Sequence, residues 1–345
     1  VEIEFGFKIA VEEWPSVSEA RRQAAFLATK AGFKAGDAGA VSIIVAEMAT
    51  NLVKYAQGGE IILQTLESQG RFGMELVALD RGPGMDDESD HLRNGFSMGQ
   101  TLGIGLGAVR RLSTDFDIYS APGRGTAVVS RYWPSTSKSE RDTASEWDIG
   151  ALCIPKPREA ICGDSFAIRE TPHGLSALVA DGLGHGPFAA EASQGAAARF
   201  RESSHLDPIE LIRLIHTALI GTRGAAIGLA GINTIDQSIS YAGVGNIFAA
   251  FVGRERTRQM LSPNGTAGLL IPLLQEFKYP WPVDSTLVMH SDGISSRWVF
   301  HSHPEFIEKD PTLVSALLYR DFGGGTDDST VVVIRRARQS VILAT

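Results

Sequence analysis

Apolar residues recur at helical spacing twice near the start of the chain. One pattern runs from about Ser16 to Ala31 and stops at Gly32, and the next runs from about Gly36 to Tyr55. In the second, Val41, Ile44, Val45, Met48 and Leu52 fall on one face, as an amphipathic helix requires. Apolar, strand-like runs follow at Glu60–Leu66 and Phe72–Leu79, then a Gly-rich loop over Gly82–Gly107 and a helix from Gly107 to Ser113. Strands are expected near Phe116–Ser120 and Thr126–Arg131. This order predicts an α/β two-layer sandwich. The stretch from Pro134 to Glu146 has almost nothing to bury, so residues 134–146 read as a linker between domains 1–133 and 147–345.

Beyond the linker the period changes. Strands are expected at Ile149–Pro155, Asp164–Arg169 and Leu175–Ala180, and helices at Phe188–Arg201 and Pro208–Ile220. Further strands are expected at Ala225–Asn233, Ser238–Ala242, Ile247–Val252, Ser285–His290 and Thr330–Arg335. Strand runs around a helix pair predict a layered α+β fold, a β-sandwich with flanking helices. A length of 345 residues, 43% of them hydrophobic, suits two cores of this kind.

Composition narrows the function classes. The net charge of −8 argues against a broad nucleic-acid footprint and against anionic membrane surfaces. No apolar run of about eighteen residues stands out as a membrane span, and the opening Val-Glu-Ile-Glu-Phe-Gly-Phe-Lys does not read as a signal peptide. Cys153 and Cys162 are the only two cysteines, too few for a metal site, and read as buried, reduced thiols of a cytoplasmic protein.

Four carboxylates in the second half carry candidate chemistry: Asp164 in Cys-Gly-Asp-Ser, Asp181 in Ala-Asp-Gly-Leu-Gly-His-Gly, Asp292 in His-Ser-Asp-Gly, and Asp327 in Thr-Asp-Asp-Ser-Thr. Each alone reads as a turn-forming Asp. Three of the four border apolar strands, and together the four make a hard, oxygen-rich site suited to Mg²⁺ or Mn²⁺. Two such ions a few ångströms apart would activate water and clamp a phosphoryl group. Asp328 is an alternative to Asp327. His185 is open between a general acid and a structural role, and Asn246 and Arg223 between substrate binding and turn or surface roles.

With Gly221-Thr-Arg-Gly-Ala-Ala, Ala242-Gly-Val-Gly-Asn-Ile and Ser291-Asp-Gly, these motifs resemble the metal-dependent protein phosphatase (PPM, protein phosphatase 2C-like) family. The likeness lies in its bacterial SpoIIE branch, with an RsbX-like pattern over roughly residues 147–336. The resemblance implies that Asp181 bridges two ions, that the Gly182 carbonyl binds one, and that Asp292 and Asp327 hold the other. Asp164 would stand in or just behind the ligand shell. Ser165-Phe-Ala-Ile follows Asp164, where many relatives carry a second acid. No Cys-x₅-Arg nucleophile occurs, so no phosphoenzyme is expected.

In the first half, Glu47, Asn51 and Lys54 lie at i, i+4, i+7 and share a helix face. Asp80-Arg-Gly-Pro-Gly-Met closes an apolar strand, and Leu102-Gly-Ile-Gly-Leu-Gly-Ala opens a helix whose N–H groups would suit phosphates. With Gly123-Arg-Gly-Thr-Ala-Val, the set resembles the GHKL (HATPase_c, Bergerat) ATP-binding family over about residues 8–133. Within it, the likeness is to the RsbT-like serine/threonine kinase and anti-sigma regulators of partner switching. That implies ATP as cofactor with Mg²⁺ on Asn51. Asp80 would accept from the adenine amino group, Gly82 and Gly84 would make room for the base, and Thr126 would support it. Gly103, Gly105 and Gly107 would wrap the phosphates. Glu47 would orient or deprotonate the attacking serine, and Lys54 would be a surface charge.

Joined, the two resemblances imply a bifunctional regulator. One half phosphorylates, and the other dephosphorylates, Ser or Thr on a STAS-domain phosphoprotein of anti-anti-sigma or stressosome type. An alternative keeps the phosphatase and makes the first half a nucleotide sensor or anti-sigma binding module. A third reading is a scaffold with a degenerate metal site.

Overall fold

The computed structural model describes residues 2–68, 70–86, 102–134, 145–203, 207–253, 257–282, 284–298 and 308–337. Most of the expected linker and most of the loop after Asp86 lie outside the described residues. The chain divides into two compact units. One is Val1–Asp142 with Thr312–Arg320, and the other is Thr143–Pro311 with Asp321–Thr345.

The first unit opens with a strand the periodicity reading passed over, β1 (Glu2–Val11). Ile3, Phe5, Phe7 and Ile9 alternate with polar or small residues, and the strand pairs antiparallel with β2 (Gly59–Ser68), Ile9 opposite Ile61. α1 (Trp14–Lys30) and α2 (Ala35–Tyr55) follow β1. Next come β3 (Arg71–Leu79), α3 (Leu102–Leu112), β4 (Asp115–Ser120) and β5 (Thr126–Tyr132). The sheet order is β1-β2-β3-β5-β4. Val41, Ile44, Val45, Met48 and Leu52 of α2 are buried with Ile61, Leu63, Met74 and Leu76 of the sheet in one core. The expected two-layer α/β sandwich is the observed one. Among the described residues, α2 is the one helix long and apolar enough to cross a membrane. The sequence reading saw no such run, and here that apolarity is spent on the core face.

Among the described residues, two five-stranded sheets make the second unit. One runs β13-β10-β9-β8-β7 and the other β12-β11-β14-β15-β6. The first contains β7 (Asp164–Thr171), β8 (Gly174–Gly182), β9 (Ala225–Asn233), β10 (Ser238–Val244) and β13 (Phe277–Pro280). The second contains β6 (Trp147–Ile154), β11 (Phe248–Val252), β12 (Thr257–Met260), β14 (Thr286–His290) and β15 (Ser329–Arg336). β12, β13 and α6 (Pro311–Phe322) were not anticipated. β12 and β13 are four-residue edge strands, too short to show a period.

α4 (Pro187–Glu202) and α5 (Pro208–Ala218) cover the first sheet. Ala192, Ala196 and Phe200 of α4 and Leu211, Ile212 and Ile215 of α5 share a core with Leu178, Ile227 and Leu229. The start of α5 is set locally. Asp207 accepts from the amides of Ile209 and Glu210 at 2.8 and 3.1 Å, and Pro208 stands at the first helical position. The small side chains on α4 let it lie close to the sheet, directly after the Asp181–Gly186 turn.

Candidate functional sites

The first site lies in the first unit, between α2 and the sheet. A cavity of about 350 Å³ is lined by Met48, Asn51 and Leu52 of α2, by Asp80 and Gly84 after β3, and by Thr126 on β5. Asp80 follows the last residue of β3, and its backbone pairs with Thr126, whose carbonyl accepts from the Asp80 amide at 2.9 Å. The Asp80 Oδ1 accepts from the amides of Gly82 and Thr126 at 2.8 and 3.0 Å. Two N–H donors fix the carboxylate plane toward the cavity. Burial nonetheless raises its pKa above the usual carboxylate value, against those same hydrogen bonds.

Gly84 has φ +70°, and a Cβ there would strike the Ala121 carbonyl, so this wall of the cavity requires glycine. Ser120 Oγ accepts from the Met85 amide at 2.9 Å and shares a hydrogen bond with Thr126 Oγ1. That bond ties the Asp80 turn to the end of the sheet.

The glycines of the Leu102–Ala108 stretch are not a loop before a helix. α3 already begins at Leu102, so Gly103, Gly105 and Gly107 occupy its first two turns. The reason is packing. A Cβ on Gly105 would lie 3.0 Å from Glu47 Oε2 and 3.3 Å from Asn51 Oδ1. Glycine lets α3 close onto α2 and brings its N-terminal turns to the Glu47–Asn51 face. Lys54 points elsewhere, with its Nζ 5.9 Å from the centre of the Trp14 ring, a surface position as expected.

The second site lies where the two sheets of the second unit meet. Asp164 and Asp181 face each other across the β7–β8 pair. Asp292 follows β14, and Asp327 and Asp328 precede β15, its paired neighbour. Asp164 and Asp328 form the floor, each only 3% exposed, and Asp292 and Asp327 stand exposed at the rim. Ser291 links the sheets by donating to Asp164 Oδ2 at 2.6 Å while its Oγ accepts from the Thr330 amide at 2.9 Å.

Asp328 Oδ1 accepts from the Lys156 amide at 2.8 Å. Its Oδ2 is buried with no hydrogen-bond partner among the described residues, an orphaned acceptor of the sort a cation satisfies. Burial pushes Asp181 up to about 9, helped by the charges of Asp164, Asp292, Asp327 and Asp328. Asp164 rises to about 7, first through burial. Asp292 also rises through burial and the nearby Asp327 charge, although Asn246 Nδ2 donates to its Oδ2 at 2.7 Å.

Among the described residues no three His, Cys, Asp or Glu side chains already close on a single point as a finished metal site. The donor set still fits a divalent cation: five carboxylates influence one another, two of them are buried, and one buried oxygen is unsatisfied. The charges of both Asp327 and Asp328 reach the cluster: that of Asp327 acts on Asp292 and Asp181, and that of Asp328 on Asp164 and Asp181.

Three features escaped the sequence reading. Asn246, left open between substrate binding and a turn role, donates to Asp292 Oδ2, a contact its motif did not reveal. Ser291 was visible only as part of Ser-Asp-Gly. Cys153 and Cys162 are half-buried rather than buried, and the Cys153 thiol donates to the Asp164 carbonyl at 3.6 Å. His185 Nδ1 meets Glu159 Oε1 at 2.8 Å, both side chains partly exposed. This pairing orients the ring at the edge of the Asp181 turn.

The two folds and their sites define a class, a nucleotide-binding domain of kinase type followed by a phosphatase-type domain. Residues 12–131 match the histidine kinase-like ATPase domain, and residues 171–337 match the stage II sporulation protein E (SpoIIE) domain. The chain belongs to the histidine kinase-like ATPase family through its first half, which it joins to a SpoIIE, protein phosphatase 2C-like domain.

The serine/threonine-protein kinase RsbT of Bacillus subtilis (strain 168) is 33% identical over 121 residues, 35% of this chain and 90% of that protein. The phosphoserine phosphatase RsbX of the same organism is 28% identical over 145 residues, 41% of this chain and 72% of that protein. Among solved structures, one from work on the bacterial stressosome superposes with TM-score 0.53 at 26% identity, covering 55% of this chain and all of that one. A structure of RsbX in complex with magnesium gives TM-score 0.51 at 21% identity, covering 57% of this chain and 98% of that one, a likeness of fold.

Proposed function

We propose that this chain is a bifunctional regulator whose first unit phosphorylates, and whose second unit dephosphorylates, a serine or threonine of a STAS-domain protein. The observation that carries the reading is that an RsbT-like half and an RsbX-like half share one chain. The stressosome likeness supports a partner of the STAS type. A cytoplasmic setting, and partners that are neither nucleic acid nor membrane, fit the same reading.

In the first unit, Asp80 would accept from the adenine amino group, with Gly82, Gly84 and Thr126 shaping the base pocket. Gly103, Gly105 and Gly107 would wrap the phosphates at the α3 start, and Asn51 would hold their Mg²⁺. Glu47, beside Gly105, would orient or deprotonate the attacking hydroxyl. Phosphoryl transfer asks mainly for this positioning and charge neutralisation.

In the second unit, Asp181, the Gly182 carbonyl, Asp292 and Asp327 would hold Mn²⁺ or Mg²⁺, with Asp164 and Asp328 beneath. When bound, such ions supply a water of lowered pKa and neutralise phosphoryl charge. Asn246 fixes the Asp292 carboxylate, Ser291 fixes Asp164, and the Lys156 amide fixes Asp328.

The test is intact-mass spectrometry of a STAS protein encoded beside this gene, incubated with ATP–Mg²⁺ and wild type, Glu47→Ala or Asp181→Asn. One added phosphoryl group that accumulates with Asp181→Asn and is erased by wild type with Mn²⁺ supports both activities. No gain with any form, while prephosphorylated partner still loses its phosphate, favours the nucleotide-sensor alternative.

A further inference from the structure

The second unit gathers negative charge at one end, where the charges of Asp164, Asp292, Asp327 and Asp328 all act on Asp181. A phosphoserine brings further negative charge to that place. Divalent ions offset the part they touch, and the peripheral phosphoryl oxygens still need donors.

A cation stands at this end of the β8–β9 pair. Gly182 pairs with Ala225, and the Leu183 amide donates to the Gly224 carbonyl at 2.9 Å. Arg223, next along the chain, therefore lies beside the Asp181–Gly186 turn. Its Nη1 is 3.0 Å from the point a Cβ on Gly184 would occupy, so the guanidinium rests close over the turn. Its central carbon is 5.2 Å from the centre of the Phe188 ring, and Phe188, in the first turn of α4, is 63% exposed. The ring holds one face of the cation and leaves the guanidinium edge for an acceptor. Among the described residues Arg223 forms no ion pair, although its side chain is exposed at the end of the β8–β9 pair that carries Asp181.

We propose that Arg223 is a phosphate-binding residue of the phosphatase site, its guanidinium receiving the peripheral oxygens of the substrate phosphoryl group while Phe188 fixes its plane. The inference rests on the phosphatase reading above and names a residue that reading does not use.

The experiment uses the full chain with saturating Mn²⁺, a phosphoserine peptide and p-nitrophenyl phosphate as substrates, and inorganic phosphate as a calorimetric ligand. Arg223→Ala should lower kcat/KM about 10- to 100-fold on both substrates, as loss of a charge-assisted hydrogen-bond donor does. It should weaken phosphate binding comparably and leave Mn²⁺ affinity and Tm unchanged. Arg223→Lys should restore part of both, and Phe188→Leu should lose less than Arg223→Ala. The proposal is overturned if Arg223→Ala stays within twofold of wild type in kcat/KM and phosphate affinity, or if its loss tracks a loss of Mn²⁺ binding. Wild type that binds phosphate through Arg223 yet hydrolyses neither substrate would sink the phosphatase reading and keep the anion site. Equal phosphate affinity in Arg223→Ala would sink the anion site whatever the turnover.

Discussion

The carboxylate cluster ties the stability of the second unit to pH in a direction opposite to most acidic groups. A carboxyl whose pKa is higher in the folded chain keeps a proton that the unfolded chain releases. Its contribution is full below the unfolded pKa, and it is lost as pH rises through the folded one. For Asp181 the window runs from the ordinary 3.8 to about 9; for Asp164 it runs from 3.8 to about 7. Each proton retained costs about 1.4 kcal/mol of stability per pH unit. Without divalent cations, Asp181 alone should therefore remove about 4 kcal/mol between pH 4 and pH 7, and the pair should give a slope of one to two protons. Asp181→Asn should flatten the slope by about one proton, and Mn²⁺ should reverse the loss by binding the ionised carboxylates and releasing protons. The assay is urea unfolding of the second unit's tryptophan signal at pH 5, 6, 7 and 8 in EDTA, for wild type and variant. Calorimetry of Mn²⁺ binding in two buffers of different ionisation heat would follow. Parallel pH curves for the two proteins, with no proton release on adding Mn²⁺, would refute the coupling.

Other outcomes follow from single contacts. Glu47→Ala should abolish partner phosphorylation while leaving ATP affinity within about threefold, since the side chain meets the α3 glycines rather than the base pocket; fluorescent-nucleotide titration and intact mass would check it. Gly84→Ala should cost about 1–3 kcal/mol through its positive φ and the Ala121 carbonyl, read as a lower Tm with loss of ATP binding. Asn246→Ala should weaken Mn²⁺ binding about tenfold by freeing the Asp292 carboxylate, measured by calorimetry. Gly105→Val should push α3 off Glu47 and Asn51 and lose nucleotide binding, and unchanged affinity would show that the close approach is not needed.

Both folds were legible because long periodic segments carry their own signal. The α2 stripe from Val41 to Leu52 and the apolar strands ending at Asp80 and Asp181 predicted where the sites would lie. What the sequence hid was contact. Nothing in Ala-Gly-Val-Gly-Asn says that Asn246 reaches Asp292, 46 residues away, because that pairing depends on how β11 and β14 lie side by side. Nor does Thr-Asp-Asp-Ser-Thr say that Asp327 stands exposed while its neighbour Asp328 is buried, since adjacent residues at a strand entry can face the rim and the floor in turn. The glycines of α3 were misread as a loop because glycine's usual punctuation was outweighed by the need for close helix packing. β1 was missed although its alternation is plain, and β12 and β13 could not be seen in four residues each.

The position of β15 in its sheet sets an order of events during synthesis. β15 lies between β14 and β6, with Ser329 opposite Ile154 and Arg336 opposite Trp147. The first and last strands of the unit thus meet across some of the longest separations in the chain, which makes their pairing a late step. Among the described strands β6 pairs in that sheet with β15 alone, so until β15 leaves the ribosome β6 lacks that neighbour, and Asp327 and Asp328 are not yet in place beside Asp181. Under the proposed function, the nascent chain completes the sheet and glycine turns of its nucleotide pocket well before the activity that would erase the phosphate.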